Sequence, residues 1–163
     1  PQRAAINNEP KLSNLRGTVA MAKISGDPNS ATNQWFVNLI DNSANLDLQN
    51  GGFTVFGQIS AQGMEIIDSI AQLPTTLNPA FPGVPLRNYT AADSQANKAV
   101  TASNIVFIEN ISVINNDENS ASALTPKVNT LITQQPAAES AAGSMGFLTL
   151  LLSLLVWRRR FSA

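Results

Sequence analysis

This 163-residue chain contains neither histidine nor cysteine, so the side chains available for chemistry are carboxylates, amines, guanidinium groups, hydroxyls, amides and aromatic rings. Their absence excludes Ser-His-Asp and Cys-His catalysis within the chain, disulfides, and the commonest metal ligand. The acidic residues Asp41, Asp47, Glu65 and Asp68 are dispersed, and we interpret each as a solvated surface or turn residue. The sequence therefore predicts no metal site and no cofactor.

The charge balance excludes a further class of partner. Charged residues make up 13% of the chain and the formal net charge is −1. Binding to nucleic acid requires a basic patch that can neutralise phosphates. The sequence therefore predicts no nucleic acid partner.

Two blocks of sequence contain the remaining candidates for a binding site. Residues 17–39 read GTVAMAKISGDPNSATNQWFVNL, and residues 51–70 read GGFTVFGQISAQGMEIIDSI, with the pair Leu46-Asp47 between them. In this order and at this spacing, the blocks resemble the second half of the cyclophilin-type peptidyl-prolyl isomerases. The alternative is a generic β-rich domain that carries these strings by chance.

The resemblance implies a pocket that holds the ring of a substrate proline. Phe36 would form its floor, and Leu46 and Phe53 would form its walls. Without the resemblance, Phe36 and Phe53 would be interpreted as ordinary core aromatics. Asn45 stands where the family often has an aromatic residue, which would leave this wall of the groove more open.

Three further residues are implied to contact the substrate chain. Gln34 would hydrogen-bond the substrate backbone, and Ala22 and Lys23 would offer main-chain contacts along the groove. Trp35 follows Gln34 on a predicted strand and points to the face opposite Phe36, so we assign Trp35 to packing.

The family's catalytic arginine belongs to a segment F-H-R-x-x-x-x-F-x-x-Q-G-G, which does not occur in this sequence. Arg3 and Arg16 are not substitutes, because their neighbours match other family positions. The resemblance thus implies no catalytic residue within the chain. Because family-like residues such as Asn8 and Glu9 occur close to Pro1, we expect this to be the C-terminal part of a longer protein whose upstream half supplies that segment.

Hydrophobic periodicity predicts the elements that must hold the groove. Period-two alternation and β-rich composition predict strands over residues 18–23, 34–39 and 53–59. Apolar residues spaced by three and four predict a helix over 63–73, which Pro74 ends. Residues 75–100 are predicted to form an ordered excursion packed against the barrel. Residues 105–114, IVFIENISVI, are predicted to form a strand buried on both faces that closes the barrel.

The C-terminal tail predicts attachment to a membrane. Residues 141–157, from Ala141 to Trp157, contain no charge, and Arg158, Arg159 and Arg160 follow. Seventeen residues lie at the lower edge of the roughly 17–25 that span a bilayer as a helix, and the arginines would stay in the cytoplasm. The tail resembles a bacterial sorting signal of the GlyGly type, which a rhomboid-like protease processes, with Gly143-Ser144 in place of the glycine pair. The alternative is a buried C-terminal core helix.

The expected fold is mainly β: a cyclophilin-like closed β-barrel, partial in this chain, with a flanking helix and a C-terminal transmembrane-type helix. The expected domains are residues 1–115, a polar linker over 116–140, and the hydrophobic helix with its arginine cluster over 141–163. The expected function is prolyl isomerisation in proline-containing segments of unfolded or exported proteins, outside the cytoplasm at a bacterial cell envelope. The alternatives are a non-catalytic proline-binding or chaperone module and a membrane-anchored scaffold.

Overall fold

Three short strands, β1 (Thr18–Met21), β2 (Trp35–Val37) and β3 (Val55–Gln58), form an antiparallel sheet of order β2-β1-β3 in the computed structural model, which describes residues 3–134. All three lie within the ranges predicted from period-two alternation. The closed barrel implied by the resemblance is not formed within the described residues, because β2 and β3 are both edge strands of this sheet. The fold is thus mainly β with a small open sheet.

The register places Ala20 at the centre of the sheet. Ala20 lies opposite Phe36 of β2 and Val55 of β3, and it is completely buried. The register of β1 with β3 shifts between Val19 and Ala20, so that Phe56 is an additional residue on β3. Such a bulge bends the strand and increases its twist. Consistent with this, Phe56 is exposed while Val55 is buried.

Helix α1 (Ser43–Leu46) and a 3₁₀ turn (Gln49–Gly51) connect β2 to β3, and helix α2 (Ala61–Ala71) follows β3. The Ser60 side chain caps α2 by accepting a hydrogen bond from the Gly63 N–H. Arg16 donates two hydrogen bonds to Asp68 of α2, and these lower the pKa of the Asp68 carboxyl. The predicted amphipathic helix is therefore confirmed, with Met64 as its buried residue.

A buried polar cluster lies beside the sheet. Asp47 is only 1% exposed, and its carboxylate accepts hydrogen bonds from the Ser13 hydroxyl and from both the backbone and side-chain N–H groups of Asn14. The prediction that Asp47 is a solvated acid was wrong. Its position after α1 directs the side chain inward, where neutral donors replace water around the charge. Asn38 joins the cluster by donating to the Asn14 side-chain oxygen and to the Thr18 hydroxyl.

Residues 75–100, predicted to be an ordered excursion, contain a short helix and turns closed by backbone hydrogen bonds, and their packing against a barrel stays a prediction. Helix α3 (Ala91–Gln95) begins with a capping box between Thr90 and Asp93. The Thr90 hydroxyl, with a further contribution from Lys98, lowers the pKa of the Asp93 carboxyl to about 2. Tyr89 is buried, and its hydroxyl donates to the Lys98 carbonyl at 2.7 Å. A further 3₁₀ turn, Ala102–Asn104, follows these residues.

The predicted strand over residues 105–114 is not formed. Ile105 makes an isolated bridge to Leu86, and residues 106–114 have no regular structure. Phe107, Ile111 and Ile114 are exposed, Ile114 almost completely. A strand is stable only when a neighbouring strand pairs with its backbone, and within residues 3–134 only the single bridge is available. Composition alone predicted a strand whose pairing partner this part of the structure does not provide.

Residues up to 132 form one compact unit, and a last 3₁₀ turn, Ile132–Gln134, ends the described part of the chain. The predicted domain boundaries at residues 115 and 140 stay predictions. Residues 127–129 return to the domain from the predicted linker of residues 116–140. The Asn129 side chain is buried and donates to the Asp47 and Pro10 carbonyls. Hydrogen bonds that composition does not reveal thus attach a polar segment to the domain.

The predicted hydrophobic helix over residues 141–163 lies outside the described residues. Among residues 3–134, the longest helix is α2, with 11 residues, and none has the length and apolarity to cross a bilayer. The membrane attachment inferred from the tail therefore stays a prediction.

Replacing Asp47 with alanine should destabilise the domain strongly, because it leaves the buried donors of Ser13 and Asn14 without an acceptor. We expect the free energy of unfolding to fall by about 3–5 kcal/mol, because each buried donor left unpaired costs about 1–3 kcal/mol. Urea denaturation monitored by far-UV circular dichroism would measure the change. Glu65→Ala, which removes an exposed carboxylate from α2, is the matched control and should change stability by less than about 0.5 kcal/mol. A similar, small effect of both substitutions would contradict a structural role for the buried carboxylate.

Candidate functional site

Strand pairing places Gln34 and Phe36 on one face of the sheet. Phe36 lies opposite Ala20 in the β1–β2 register, and the Ala22 N–H donates to the Gln34 carbonyl at 2.9 Å. Residues two apart on a strand project from the same face. The Gln34 side chain is exposed and the Phe36 ring is half-buried. This surface therefore presents a polar amide beside an accessible aromatic ring.

The two predicted pocket aromatics are in contact. The ring centroids of Phe36 and Phe53 lie 5.8 Å apart at an interplanar angle of 79°, an edge-to-face arrangement. Aromatic pairs favour this geometry because the positive edge of one ring meets the negative face of the other. The Phe53 N–H donates to the Leu46 carbonyl at 2.9 Å, so α1 ends beside the backbone of Phe53. All three predicted pocket residues are thus brought together, and each is half-buried.

The other predicted contacts occupy the neighbouring end of the sheet. Ala22 follows β1, and because its N–H is already bonded to Gln34, its carbonyl is the group available to a peptide. Trp35 is 47% exposed, which differs from the core packing assigned to it. It lies opposite Met21 at the end of the β1–β2 ladder, where the described residues do not enclose the ring. The roles of these residues in binding substrate stay predictions.

The loop of residues 50–52, which precedes Phe53, has an unusual backbone. Asn50, Gly51 and Gly52 all have positive φ angles, of 52°, 76° and 74°. Glycine adopts this region without steric cost, and asparagine does so more readily than most other residues. The Asn8 side-chain amide donates to the carbonyls of Gly51 and Gly52, at 2.8 and 2.9 Å. Sequence reasoning treated Asn8 only as a family-like residue and did not predict that it holds this loop.

Lys23 contacts the same loop through its side chain. Its ammonium donates to the Asn50 carbonyl at 2.7 Å and to the Gly52 carbonyl, and it lies 4.6 Å from the centroid of the Phe53 ring. Partial burial lowers the pKa of Lys23. Sequence reasoning assigned only the main chain of Lys23 to the groove. No local pattern in the sequence signals these side-chain contacts, because their partners lie 27 and 29 residues later in the chain.

The arrangement suits binding and orientation rather than bond cleavage. It offers accessible aromatic faces, one exposed amide and backbone carbonyls, and no nucleophile paired with a base. Within residues 3–134, no group of three acidic side chains is placed to hold a metal ion, and the sequence has no histidine or cysteine. What such a surface can do chemically is to hold an apolar ring and hydrogen-bond the peptide backbone beside it.

Comparison with known proteins assigns the first part of the chain to one family. The family model described as cyclophilin type peptidyl-prolyl cis-trans isomerase/CLD matches residues 1–91. A peptidyl-prolyl cis-trans isomerase of Acinetobacter baylyi is 42% identical over 85 residues, which cover 50% of this chain and 44% of the relative. The peptidyl-prolyl cis-trans isomerase A of Dickeya dadantii is 43% identical over 76 residues, 45% of this chain and 38% of that protein.

A third relative gives the same result. The peptidyl-prolyl cis-trans isomerase B of Escherichia coli is 40% identical over 76 residues, which cover 43% of this chain and 45% of that protein. The chain thus spans less than half the length of each of these three relatives.

The crowding around Gly52 should make this glycine essential for the loop. A Cβ atom at residue 52 would lie 2.6 Å from Pro10 Cβ and 2.8 Å from the Asp47 carbonyl oxygen. Gly26 has a similarly positive φ of 82°, but a Cβ atom there would meet nothing within 4 Å. Gly26→Ala should therefore cost only the backbone strain of about 1–2 kcal/mol.

Gly52→Ala should destabilise the domain by a further amount of about 1–3 kcal/mol, because a clash with backbone and proline atoms is added to that strain. Equilibrium unfolding of the two variants in urea would measure the difference. Equal destabilisation by both would show that the close approach of the segments carrying Pro10 and Asp47 does not constrain the loop.

Proposed function

The chain belongs to the cyclophilin-type peptidyl-prolyl cis-trans isomerase family, and on that premise we propose that its protein is a peptidyl-prolyl isomerase in which these residues hold the substrate proline. The observation that supports this most directly is the contact between Phe36 and Phe53 beside the exposed amide of Gln34. The paired, half-buried rings offer a surface for a prolyl ring. The amide lies on the same face, where it can orient the adjoining backbone.

Prolyl isomerisation requires no nucleophile and no general base, so the absence of histidine and cysteine from this chain does not oppose it. The barrier of about 18–20 kcal/mol arises from the partial double bond of the amide, and rotation breaks no covalent bond. An enzyme lowers the barrier by binding the twisted amide more tightly than the planar one. An apolar pocket that fixes the proline ring, with polar groups that fix the flanking backbone, lets the acyl side rotate while the ring stays in place.

The alternative is a module that binds proline segments without catalysis. Its support is that Gln34, Phe36 and Phe53, the residues that would bind a proline segment, are present. A protein with this pocket and no donor to the prolyl nitrogen would shield proline-containing segments as a chaperone does. The two alternatives predict the same binding and differ only in the rate of cis/trans exchange.

We further propose that the protein acts outside the cytoplasm of a bacterial cell, anchored by its tail. The support is the uncharged stretch of residues 141–157 followed by Arg158, Arg159 and Arg160. Clustered arginines at the end of an apolar helix favour the cytoplasmic side, which places the preceding domain on the other side. The substrates would then be proline-containing segments of unfolded or newly exported proteins. Processing at Gly143-Ser144 by a rhomboid-like protease would release the domain from the membrane.

Nuclear magnetic resonance of a short proline-containing peptide would test binding and catalysis together. We expect the 163-residue chain to bind the peptide but not a peptide in which alanine replaces the proline. Because the chain has no F-H-R segment, we expect no faster exchange between the cis and trans peptide signals with this chain. A gene product that also carries an F-H-R segment should accelerate that exchange. Binding by the complete protein without faster exchange would favour the proline-binding module instead, and equal binding of both peptides would contradict either function.

Substitutions in the pocket should separate substrate binding from stability. Gln34→Ala removes an exposed amide, so it should weaken binding of the proline peptide with little change in the thermal midpoint. Phe36→Ala should weaken binding by more than it lowers folding stability, because the ring is half-buried. If peptide binding and folding stability fell equally, Phe36 would be an ordinary core residue. The loss of stability would then be about 3–5 kcal/mol, as for a buried aromatic side chain. Isothermal titration and thermal unfolding of each variant would provide the comparison.

A charge in the middle of the tail should prevent membrane attachment. Leu151→Arg would cost about 2.5–3.5 kcal/mol on insertion scales, which is enough to displace a segment of marginal length. The natural protein should sediment with membranes or occur as a shortened envelope protein, and Leu151→Val should behave in the same way. The arginine variant should be soluble or degraded. Recovery of the full-length natural form in the cytosolic fraction would contradict the envelope proposal.

A further inference from the structure

We propose that the side chain of Lys23 is a positioning residue of the groove, which fixes the Phe53 wall of the proline pocket by binding the carbonyl groups of the loop before it. This inference rests on the proposed function, because it concerns the same pocket. It assigns to the lysine side chain a role that differs from the main-chain contact implied by the resemblance.

The loop before Phe53 supplies carbonyl groups that need a donor. The three consecutive positive φ angles of Asn50, Gly51 and Gly52 take the backbone out of helical and strand geometry, so its carbonyls have no regular partners. Backbone carbonyls that are removed from water must be paired. The Lys23 ammonium donates to the carbonyls of Asn50 and Gly52, and the Asn8 amide donates to those of Gly51 and Gly52.

Only one of these two donors also reaches the aromatic wall. The Lys23 ammonium lies 4.6 Å from the centroid of the Phe53 ring, within the range in which a cation is attracted to an aromatic face. The same ring meets Phe36 edge-to-face at 5.8 Å. Lys23 therefore connects the loop carbonyls to the ring, and the ring connects to the floor of the pocket.

The charge of Lys23 has no acidic partner that would explain its position otherwise. It takes part in none of the ion pairs found within residues 3–134, which involve Lys11, Arg16 and Lys98. Its ammonium contacts neutral carbonyls and an aromatic face, and its partial burial lowers its pKa. The carbonyls and the aromatic face therefore supply the interactions that offset the cost of partly burying this ammonium.

The test compares Lys23→Met, which keeps the unbranched apolar stem of the side chain but removes its charge and donors, with Lys23→Arg, which keeps the charge. Lys98→Met is the matched control, since the Lys98 side chain is exposed and its ammonium pairs with Asp93 of α3. Binding of a short proline-containing peptide is measured by titration, and the ring signals of Phe53 and Phe36 are followed by nuclear magnetic resonance. We expect Lys23→Met to bind about tenfold more weakly, the effect of losing one charge-assisted contact of this kind, and to shift both ring signals. Lys23→Arg should recover most of the affinity, and Lys98→Met should change neither measurement.

Unchanged affinity and unchanged ring signals in Lys23→Met would overturn the proposal. If that variant does not fold, the ammonium signal of Lys23 in the unsubstituted chain decides the question. That signal should shift on peptide binding if Lys23 positions the pocket wall, and it should not shift if the lysine is uninvolved. If the unsubstituted chain binds no proline peptide, the proposed function fails. The role of Lys23 is then decided by the ring signals alone, which shift in Lys23→Met and not in Lys98→Met if the lysine places the Phe53 ring.

Discussion

The buried carboxylate of Asp47 is the interaction on which the rest of this domain depends. It collects donors from Ser13 and Asn14, more than thirty residues earlier in the chain. Its backbone carbonyl accepts from Asn129, 82 residues later. A charge removed from water is stable only when donors surround it, so the segments that provide them must all be in place at once. A single residue at the end of α1 thereby brings together parts of the chain that no regular element connects.

A second charge of opposite sign, the ammonium of Lys23, organises the loop of residues 50–52 by hydrogen bonding in the same way. Asp47 gathers hydroxyl and N–H donors, whereas Lys23 gathers carbonyl acceptors from the loop of residues 50–52. The two arrangements meet at Phe53, whose carbonyl accepts from the Asn14 side chain at 3.2 Å and whose ring lies beneath the lysine. The backbone of Phe53 is therefore fixed from the buried side and its ring from the groove side. A pocket wall held at both ends can keep its position while the surface beside it stays accessible.

Local sequence patterns predicted the elements that local forces determine. The strands β1, β2 and β3 and the helix α2 agree with alternation, helical periodicity and turn residues. The motif resemblance singled out Phe36 and Phe53, whose rings are in contact, and their role in holding a proline stays a prediction. What could not be predicted depends on partners distant in sequence. Asp47 looks like a surface acid until Ser13 and Asn14 are placed beside it. Residues 105–114 have the composition of a strand, but composition does not reveal whether another strand pairs with them. Asn129 lies in a polar segment, and only its hydrogen bonds show that the segment joins the domain.

The partial burial of the pocket aromatics supports a binding surface over an ordinary core. The buried apolar side chains of the described residues are mostly small or medium in size, such as Val19, Ala20, Val55 and Met64. Phe36 and Phe53 are larger than most of these and would contribute more to stability if they were enclosed, yet both remain half-buried. Meanwhile Asn14, Asn38 and Asp47, which are costly to bury, are fully enclosed. The fold thus encloses amides and a carboxylate, whose hydrogen bonds make the domain rigid. It leaves two paired aromatic rings accessible for contact. That distribution is the one expected when a rigid support must present an apolar surface to a ligand.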